Sequence, residues 1–147
     1  MLVLINANRM SPPIAPIGLD YVASAARAQG IPLELVDLGL APNPDAALAR
    51  AFARGEPRLV GISFRNVDDS FWPSAAWFVP ELDALCARLR TLTAAPIVLG
   101  GVGFSIFAER LVAHTGADFG IRGDGEVAIG ALYVALERGR NGLGAVP

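Results

Sequence analysis

The sequence predicts an α/β domain, a Rossmann-like three-layer sandwich in which helices cover both faces of a five-stranded parallel sheet. Along the 147 residues, short apolar runs alternate with longer alanine-rich stretches of helical period. The apolar runs are almost unbroken by polar residues, as expected of parallel strands that are covered on both faces. Strand and helix alternate five times, which favours one doubly wound domain.

The first strand is the run LVLIN at residues 2–6, and the first helix, residues 17–29, ends at Gly30. Glycine is the usual residue at a left-handed helix cap. Pro80 should break or kink the third helix near its start. The remaining strands are predicted at residues 32–38, 58–63, 96–100 and 118–122, and the remaining helices at 44–54, 75–93, 104–115 and 126–138.

Right-handed crossovers leave few arrangements for five such strands, and the flavodoxin-like order 2-1-3-4-5 is common. In that order a ligand crevice lies at the C-terminal ends of the first and third strands, where the winding reverses. Long loops follow both strands, at residues 6–16 and 64–74. Glycine-rich turns at residues 100–103 and 122–126 follow the fourth and fifth strands, and they allow close approach of a ligand or supply positive φ. These four strand ends predict a site for one large ligand.

Composition excludes several kinds of chemistry for this chain. All 12 positive charges are arginine, and the chain has one histidine, His114, and one cysteine, Cys86. A lysine-containing phosphate loop, a pyridoxal Schiff base, an iron–sulfur cluster and a Cys/His zinc site are therefore excluded. His114 has no accompanying G-x-S-x-G motif for a catalytic triad. Any demanding reaction must use an imported cofactor.

Charge and hydropathy restrict the partners and the compartment. The net charge of −2 argues against nucleic acid and anionic membranes, because both attract a positive field. No apolar run reaches the roughly 18 residues of a membrane span. A single cysteine forms no internal disulfide, so the predicted location is the reducing cytoplasm.

Several candidate site residues have a structural alternative. The run Gly100–Gly103 suits either a turn and helix cap or a ligand, and Ser63 suits either a cap or a ligand donor. Asp68 and Asp69 are more typical of a solvated turn than of a metal site or a pair of general-base carboxylates. The macrodipole alone favours Glu126 at a helix start. Arg65 is harder to explain structurally, since it is a cation placed beside the predicted crevice.

Three other features also have simple structural explanations. His114, near the end of a predicted helix, suits the C-terminal dipole, and Cys86 suits an apolar core. The aromatic residues Phe71, Trp72, Trp77 and Phe78 belong either to an interface or to the core.

Four segments of the chain form a recognisable pattern, and they are PPIAPIGLDYVA at residues 12–23, VGIS with Arg65-Asn66 at residues 60–66, VLGGV at residues 98–102, and ADF running into RGDGE at residues 117–126. In this order they resemble the N-terminal cobalamin-binding domain of cobalamin-dependent radical S-adenosylmethionine enzymes. The resemblance covers nearly the whole chain, and residues 63–69 are similar to the tryptophan 2-C-methyltransferase type within that family.

The resemblance implies that a corrinoid lies across the C-terminal ends of the strands and inserts its nucleotide tail into a cleft beside them. Ser63 would face the benzimidazole of the tail, and Gly100, Gly101 and Gly103 would give the tail room. The residues expected under or around the corrin ring are Asn8, Arg9, Met10, Arg65, Asn66 and Val67, and those expected to close the tail cleft or the corrin edge are Gly123, Gly125 and Glu126.

One departure concerns the cobalt ligand. Many cobalamin carriers have D-x-H-x-x-G after the first strand, whereas residues 6–11 here read NANRMS, without histidine. His114 is too far along the chain to replace that ligand from the same loop. We hypothesise that no residue of this chain ligates cobalt and that Arg65 approaches its lower face, where a positive charge disfavours coordination.

A second departure is the lack of the C-x-x-x-C-x-x-C motif that carries the family's iron–sulfur cluster. The cluster and S-adenosylmethionine are therefore expected in a catalytic domain, in cis or in trans, with methyl transfer to a carbon centre as the joint reaction. Residues 1–140 form the expected cobalamin-binding domain, and residues 141–147 the start of a linker, which favours an excised domain. The alternative is a non-catalytic flavodoxin-like domain that binds a flavin or a nucleotide or has a regulatory role.

Overall fold

Strands and helices alternate along the computed structural model, which describes residues 1–139, except that two helices follow the fourth strand. Six helices and five strands are found in this part of the chain. Their bounds are β1 Leu2–Asn6, α1 Ile17–Ala28, β2 Leu33–Asp37, α2 Pro44–Phe52, β3 Leu59–Ser63, α3 Val79–Arg90, β4 Ile97–Gly100, α4 Val102–Ile106, α5 Ala108–Thr115, β5 Phe119–Gly120 and α6 Ala128–Glu137.

All five strands are parallel, and their order is β2-β1-β3-β4-β5. The predicted α/β class and the predicted order 2-1-3-4-5 are therefore confirmed. The winding reverses between β1 and β3, because β2 lies on one side of β1 while β3, β4 and β5 follow on the other side. A crevice at the C-terminal ends of β1 and β3 follows from this topology.

Two apolar clusters cover the two faces of the sheet. The larger cluster joins alternate strand residues to α2, α3 and α5, with Val60 and Leu82 among its most buried members. The second cluster joins the other strand residues to α1 and α6, through side chains such as Leu4, Ala23 and Ile129. Because successive strand residues point to opposite faces, each of the strands β1 to β4 contributes to both clusters.

Three of the predicted helices begin at a different residue or are split. The helix predicted from residue 75 begins at Val79, with Pro80 in its first turn, where proline loses no helical hydrogen bond. The helix predicted at residues 104–115 is split at Phe107, whose φ of −131° is not helical. The last helix begins at Ala128, so Glu126 lies in the preceding loop.

Strand β5 is also shorter than predicted, with only Phe119 and Gly120 in the sheet. The predicted boundary at residue 140 and the predicted linker at residues 141–147 lie outside the described residues. None of the helices within residues 1–139 combines the length and hydropathy that a membrane span requires.

Candidate functional site

A cavity of about 750 Å³ opens at the C-terminal edge of the sheet, on the face that α1 and α6 cover. Its walls come from the ends of β1, β3 and β4, from the start of α1, and from the loop that precedes α6. Most of the lining is apolar. The lining residues are Leu4, Asn6, 14–19, Val22, 61–63, Arg65, 98–102, Ser105, Ile106, Ile121, 123–126 and Ile129.

The sheet side of the cavity consists of two rows of residues that face the same way. The lower row is Leu4, Gly61 and Val98 on β1, β3 and β4, and the upper row is Asn6, Ser63 and Gly100. The upper row thus carries two small residues beside one amide side chain. A planar group can therefore pack close to the strands at this point.

The turn after β4 is built by glycine in a conformation that other residues rarely adopt. Gly101 has φ 102°, and a Cβ at this position would lie 2.7 Å from the carbonyl oxygen of Phe64. A Cβ on Gly103 would lie 2.8 Å from the carbonyl oxygen of Arg65. These close approaches bring the turn against the backbone that follows β3, so the two loops form one wall.

Ser105 connects this turn to the loop after β5. Its hydroxyl donates a hydrogen bond to the carbonyl oxygen of Gly101 (2.9 Å) and accepts one from the N–H of Gly123 (3.0 Å). Gly123 has φ 83°, which again favours glycine. The side chain of Ser105 therefore holds two walls of the cavity together, although no sequence motif indicated it.

The loop after β1 is ordered by consecutive side-chain hydrogen bonds. Asn6 donates to Asp37 (2.9 Å) and accepts from the N–H of Asn8 (3.1 Å), and Asn8 accepts from the N–H of Met10 (2.9 Å). The Nδ2 of Asn8 and the Oδ1 of Asn66 are buried without a hydrogen-bond partner among the described residues. Unpaired buried polar atoms are uncommon and mark this edge as a polar ligand environment.

Arg65 is the cationic residue in the cavity lining, where Asp124 and Glu126 carry the opposite charge. Its side chain is exposed and forms no ion pair with a carboxylate of the described residues. Neither acidic residue neutralises it directly, so its charge is free to act on a ligand at the mouth of the cavity.

The structure brings seven of the thirteen predicted site residues to the cavity and leaves six outside its lining. The seven are Ser63, Arg65, Gly100, Gly101, Gly123, Gly125 and Glu126. The six others lie in neighbouring loops or behind the wall, and they are Asn8, Arg9, Met10, Asn66, Val67 and Gly103.

Of these six, Val67 packs against the larger apolar cluster, and Gly103 is buried behind the turn. Asn8, Arg9 and Met10 follow β1, at the same edge of the sheet.

Sequence reasoning missed many residues that line the cavity or hold it together, among them Leu4, Gly61, Ser105 and Ile129. The alternation along β1 and β3 was an available signal, because it places residues 4 and 61 on the same face as residues 6 and 63. The contribution of Ser105 required knowledge of two separate loops.

The remaining chemically active side chains do not form a metal site. Within residues 1–139 no group of three His, Cys, Asp or Glu residues is placed to hold a metal ion. His114 is in the last turn of α5, as the dipole interpretation predicted. Cys86 is buried in the larger cluster, as predicted, and burial raises the pKa of its thiol to about 11.

Asp69 belongs to a hairpin that residues 67–78 form between β3 and α3. Its carboxylate accepts hydrogen bonds from the Ser74 hydroxyl and from the N–H groups of Phe71 (3.1 Å) and Ala76 (3.2 Å). These bonds, that of Ser74 first, lower the pKa of Asp69. Asp68 accepts from Ser70. Both carboxylates therefore organise the hairpin, which agrees with the turn interpretation.

The fold and the cavity define a class of protein: doubly wound α/β domains that hold a large ligand at the topological switch point of the sheet. Comparison with known proteins identifies the family. The B12 binding domain model matches residues 4–133, and the chain belongs to that family.

Two relatives have similar sequences over almost the whole chain. Tryptophan 2-C-methyltransferase of Streptomyces laurentii is 39% identical over 141 residues, which are 95% of this chain and 24% of that protein. The radical S-adenosylmethionine methyltransferase TsrM from Kitasatospora setae, with cobalamin and a [4Fe-4S] cluster bound, is 35% identical, with a TM-score of 0.92 over 99% of this chain and 28% of that chain.

A third protein shares the fold alone. The cobalamin-dependent S-adenosylmethionine radical enzyme OxsB, with aqua-cobalamin and S-adenosylmethionine bound, is 17% identical, with a TM-score of 0.68 over 93% of this chain and 18% of that chain. The chain thus spans about a quarter of the length of the two methyltransferases. The comparisons confirm the predicted family resemblance and give no support to a flavin or nucleotide domain.

Features of the structure fit the nucleotide tail and the amide-bearing ring of a corrinoid. The cavity is large and mainly apolar, and it has open space beside Gly100. A Cβ on Gly100 would have only the carbonyl oxygen of Ile121 within 4 Å, at 3.7 Å. The unpaired amide atoms of Asn8 and Asn66 have the chemistry to bind the amides at a corrin edge. The residues present are therefore suited to cobalamin.

Proposed function

We propose that this chain holds cobalamin for a radical S-adenosylmethionine methyltransferase that transfers a methyl group to a carbon centre. The observation that carries the proposal is the cavity at the ends of β1, β3 and β4, in a chain of the B12-binding family that is 39% identical to a methyltransferase. When bound, cobalamin supplies the cobalt centre that accepts and passes on the methyl group. This chain supplies binding and electrostatics.

Ser63 and Gly100 would receive the benzimidazole of the nucleotide tail. Both belong to the upper row of the sheet side of the cavity, where the side chains are shortest. The Ser63 hydroxyl makes no hydrogen bond within residues 1–139, so it is available to a ring nitrogen or to the ribose. Gly101 and Gly103 keep the adjacent wall thin, and Gly123, Gly125 and Glu126 would close the far side.

Arg65 would lie near the lower face of the cobalt without ligating it. The loop at Asn8, Arg9 and Met10 contains no imidazole, and the single histidine, His114, is outside the cavity lining. No carboxylate of residues 1–139 forms an ion pair with the exposed, positively charged guanidinium of Arg65. This charge disfavours the approach of a cationic or metal-coordinating group from below, while Asn66 and Val67 would border the corrin ring.

The chemistry of this chain requires a second domain. Cys86 is the only cysteine, and it is buried, so the iron–sulfur cluster and S-adenosylmethionine belong to a radical S-adenosylmethionine domain, which we propose to be on the same polypeptide. The net charge of −2 disfavours nucleic acid and anionic membranes as partners. We further propose a cytoplasmic location, because the only thiol is unpaired.

Addition of hydroxocobalamin to the purified chain, followed by gel filtration, tests the proposal. We expect a corrin absorption spectrum to travel with the protein, whereas flavin mononucleotide should separate from it. Retention of flavin with loss of the corrin would support the alternative domain class instead. In the electron paramagnetic resonance spectrum of bound cobalt(II) cobalamin, nitrogen superhyperfine splitting from a protein ligand would contradict the assignment of Arg65.

A further inference from the structure

The hairpin of residues 67–78 presents three aromatic side chains to solvent. Phe71 is 61% exposed, Trp72 is 93% exposed and Trp77 is 51% exposed. Aromatic side chains, tryptophan above all, contribute strongly to protein interfaces when they are buried there. Three of them on one short segment form an apolar surface that water covers in this chain.

The backbone of the hairpin is held in place without help from these side chains. The N–H of Phe78 donates to the carbonyl oxygen of Val67 (2.9 Å), and the N–H of Asp69 donates to that of Ala76 (3.1 Å). The carboxylate of Asp69 adds two hydrogen bonds from backbone N–H groups inside the turn. A surface that is ordered before binding loses less conformational entropy when a partner docks.

The aromatic surface is separate from the cavity. Val67 and Phe78, at the base of the hairpin, pack against the apolar cluster on the α2 and α3 face, whereas the cavity opens on the α1 and α6 face. Phe71, Trp72 and Trp77 do not line the cavity. The part of a ligand that enters the cavity, which we propose to be the nucleotide tail, therefore lies across the sheet from the base of the hairpin.

We propose that Phe71, Trp72 and Trp77 form the docking surface for the S-adenosylmethionine-binding catalytic domain of the same methyltransferase, an inference that rests on the proposed function. About three quarters of each of the two related methyltransferases lies outside the segment that matches this chain, so a large partner domain is present in those proteins. The hairpin follows β3 directly, at the edge of the sheet where Arg65 stands.

The first test removes the aromatic groups from the chain itself. The double variant Phe71→Ser/Trp72→Ser should change the melting temperature by less than about 2 °C, because exposed side chains contribute little to the fold. Leu40→Ser is the matched control, since Leu40 is apolar and 69% exposed elsewhere on the surface. A fall of more than about 5 °C for the double variant alone would mean that the aromatic residues serve the fold of this chain, and would contradict the docking role.

The second test compares side-chain accessibility in the chain and in a full-length enzyme. This chain replaces the matching segment of the Streptomyces laurentii methyltransferase, and hydroxyl-radical footprinting follows the oxidation of Trp72, with Leu40 as the exposed reference and Cys86 as the buried one. We expect Trp72 to oxidise at least about fivefold more slowly in the chimera, while Leu40 and Cys86 keep their rates. Equal oxidation of Trp72 in both proteins would overturn the proposal.

The two proposals fail in different ways. If the unaltered chain does not retain hydroxocobalamin, the proposed function is contradicted, whatever the footprint of Trp72 shows. If the chain retains hydroxocobalamin and Trp72 stays exposed in the chimera, only the docking surface is wrong. The double variant should retain hydroxocobalamin as the unaltered chain does, because neither residue lines the cavity.

Discussion

Alanine substitutions at the neighbouring glycines Gly100 and Gly101 should separate folding from ligand binding. At Gly101 the backbone has φ 102°, which costs a residue with a Cβ about 1–3 kcal/mol. The new Cβ would also lie 2.7 Å from the carbonyl oxygen of Phe64, and overpacking of this kind costs about 1–3 kcal/mol. Alanine also reduces the conformational entropy of the unfolded chain, which offsets about 0.4–1 kcal/mol of these costs. The net fall in the free energy of unfolding is roughly 2–5 kcal/mol.

At Gly100, one residue earlier, an alanine side chain fits without a steric clash. A Cβ on Gly100 would have the carbonyl oxygen of Ile121 as its nearest neighbour, at an ordinary contact distance of 3.7 Å. We therefore expect Gly100→Ala to melt within about 2 °C of the unaltered chain, and Gly101→Ala to melt about 5–15 °C lower. Thermal unfolding followed by circular dichroism measures both.

Gly100→Ala should weaken hydroxocobalamin binding although it leaves the stability of the chain almost unchanged. Its new methyl group would stand beside Ser63 on the cavity side of the sheet, where we propose that the nucleotide tail packs. We expect hydroxocobalamin to bind about tenfold more weakly to Gly100→Ala, a loss of about 1.4 kcal/mol. The reasoning is refuted if Gly101→Ala is as stable as Gly100→Ala, or if Gly100→Ala binds hydroxocobalamin as tightly as the unaltered chain.

Three further predictions concern side chains at the same edge of the sheet. Arg65→Leu should alter the visible spectrum of bound hydroxocobalamin with a change in melting temperature of less than about 2 °C, whereas Arg50→Leu, an exposed control outside the cavity, should leave both unchanged. Because hydrogen bonds lower the pKa of Asp69, its carboxylate stabilises the hairpin fully above about pH 4, and this stabilisation is lost as the pH falls through the folded pKa. Tryptophan fluorescence should therefore report an acid transition in the unaltered chain that Asp69→Asn lacks. Ser105→Ala should release hydroxocobalamin about fivefold faster in stopped-flow displacement, because about 1 kcal/mol of hydrogen bonding between the two loops is lost. Ser105→Thr, which keeps the hydroxyl, should restore the slow rate. Equal rates for the unaltered chain and both variants would exclude the link between the loops.

The general position of the cavity could be predicted from the sequence because it depends on local patterns and one topological rule. Continuous apolar runs identify the strands, and right-handed crossovers limit their order. The residues that end β1, β3 and β4, namely Asn6, Ser63 and Gly100, then follow directly from the ends of the apolar runs. All three line the cavity.

The details that escaped prediction depend on contacts between distant residues. The hydroxyl of Ser105 links the turn after β4 to the loop after β5, through Gly101 and Gly123, and this link is not visible in either segment alone. The hairpin was missed because Pro80 was interpreted as a break within a helix. In the structure Pro80 marks the helix start, and the side chain of Asp69 organises the residues before it.

Late helix starts leave the strand ends uncovered on both faces of the sheet, but the hairpin of residues 67–78 covers them on one face only. The cavity lies on the other face. Helices α1 and α6 begin late, at Ile17 and Ala128, so the ends of the strands on their side lack a cover. Helix α3 also begins late, at Val79, but the base of the hairpin packs into the larger cluster and fills the equivalent space. The same long loop after β3 therefore closes one face of the sheet and carries its aromatic tip outward, while the face opposite keeps the room for a ligand.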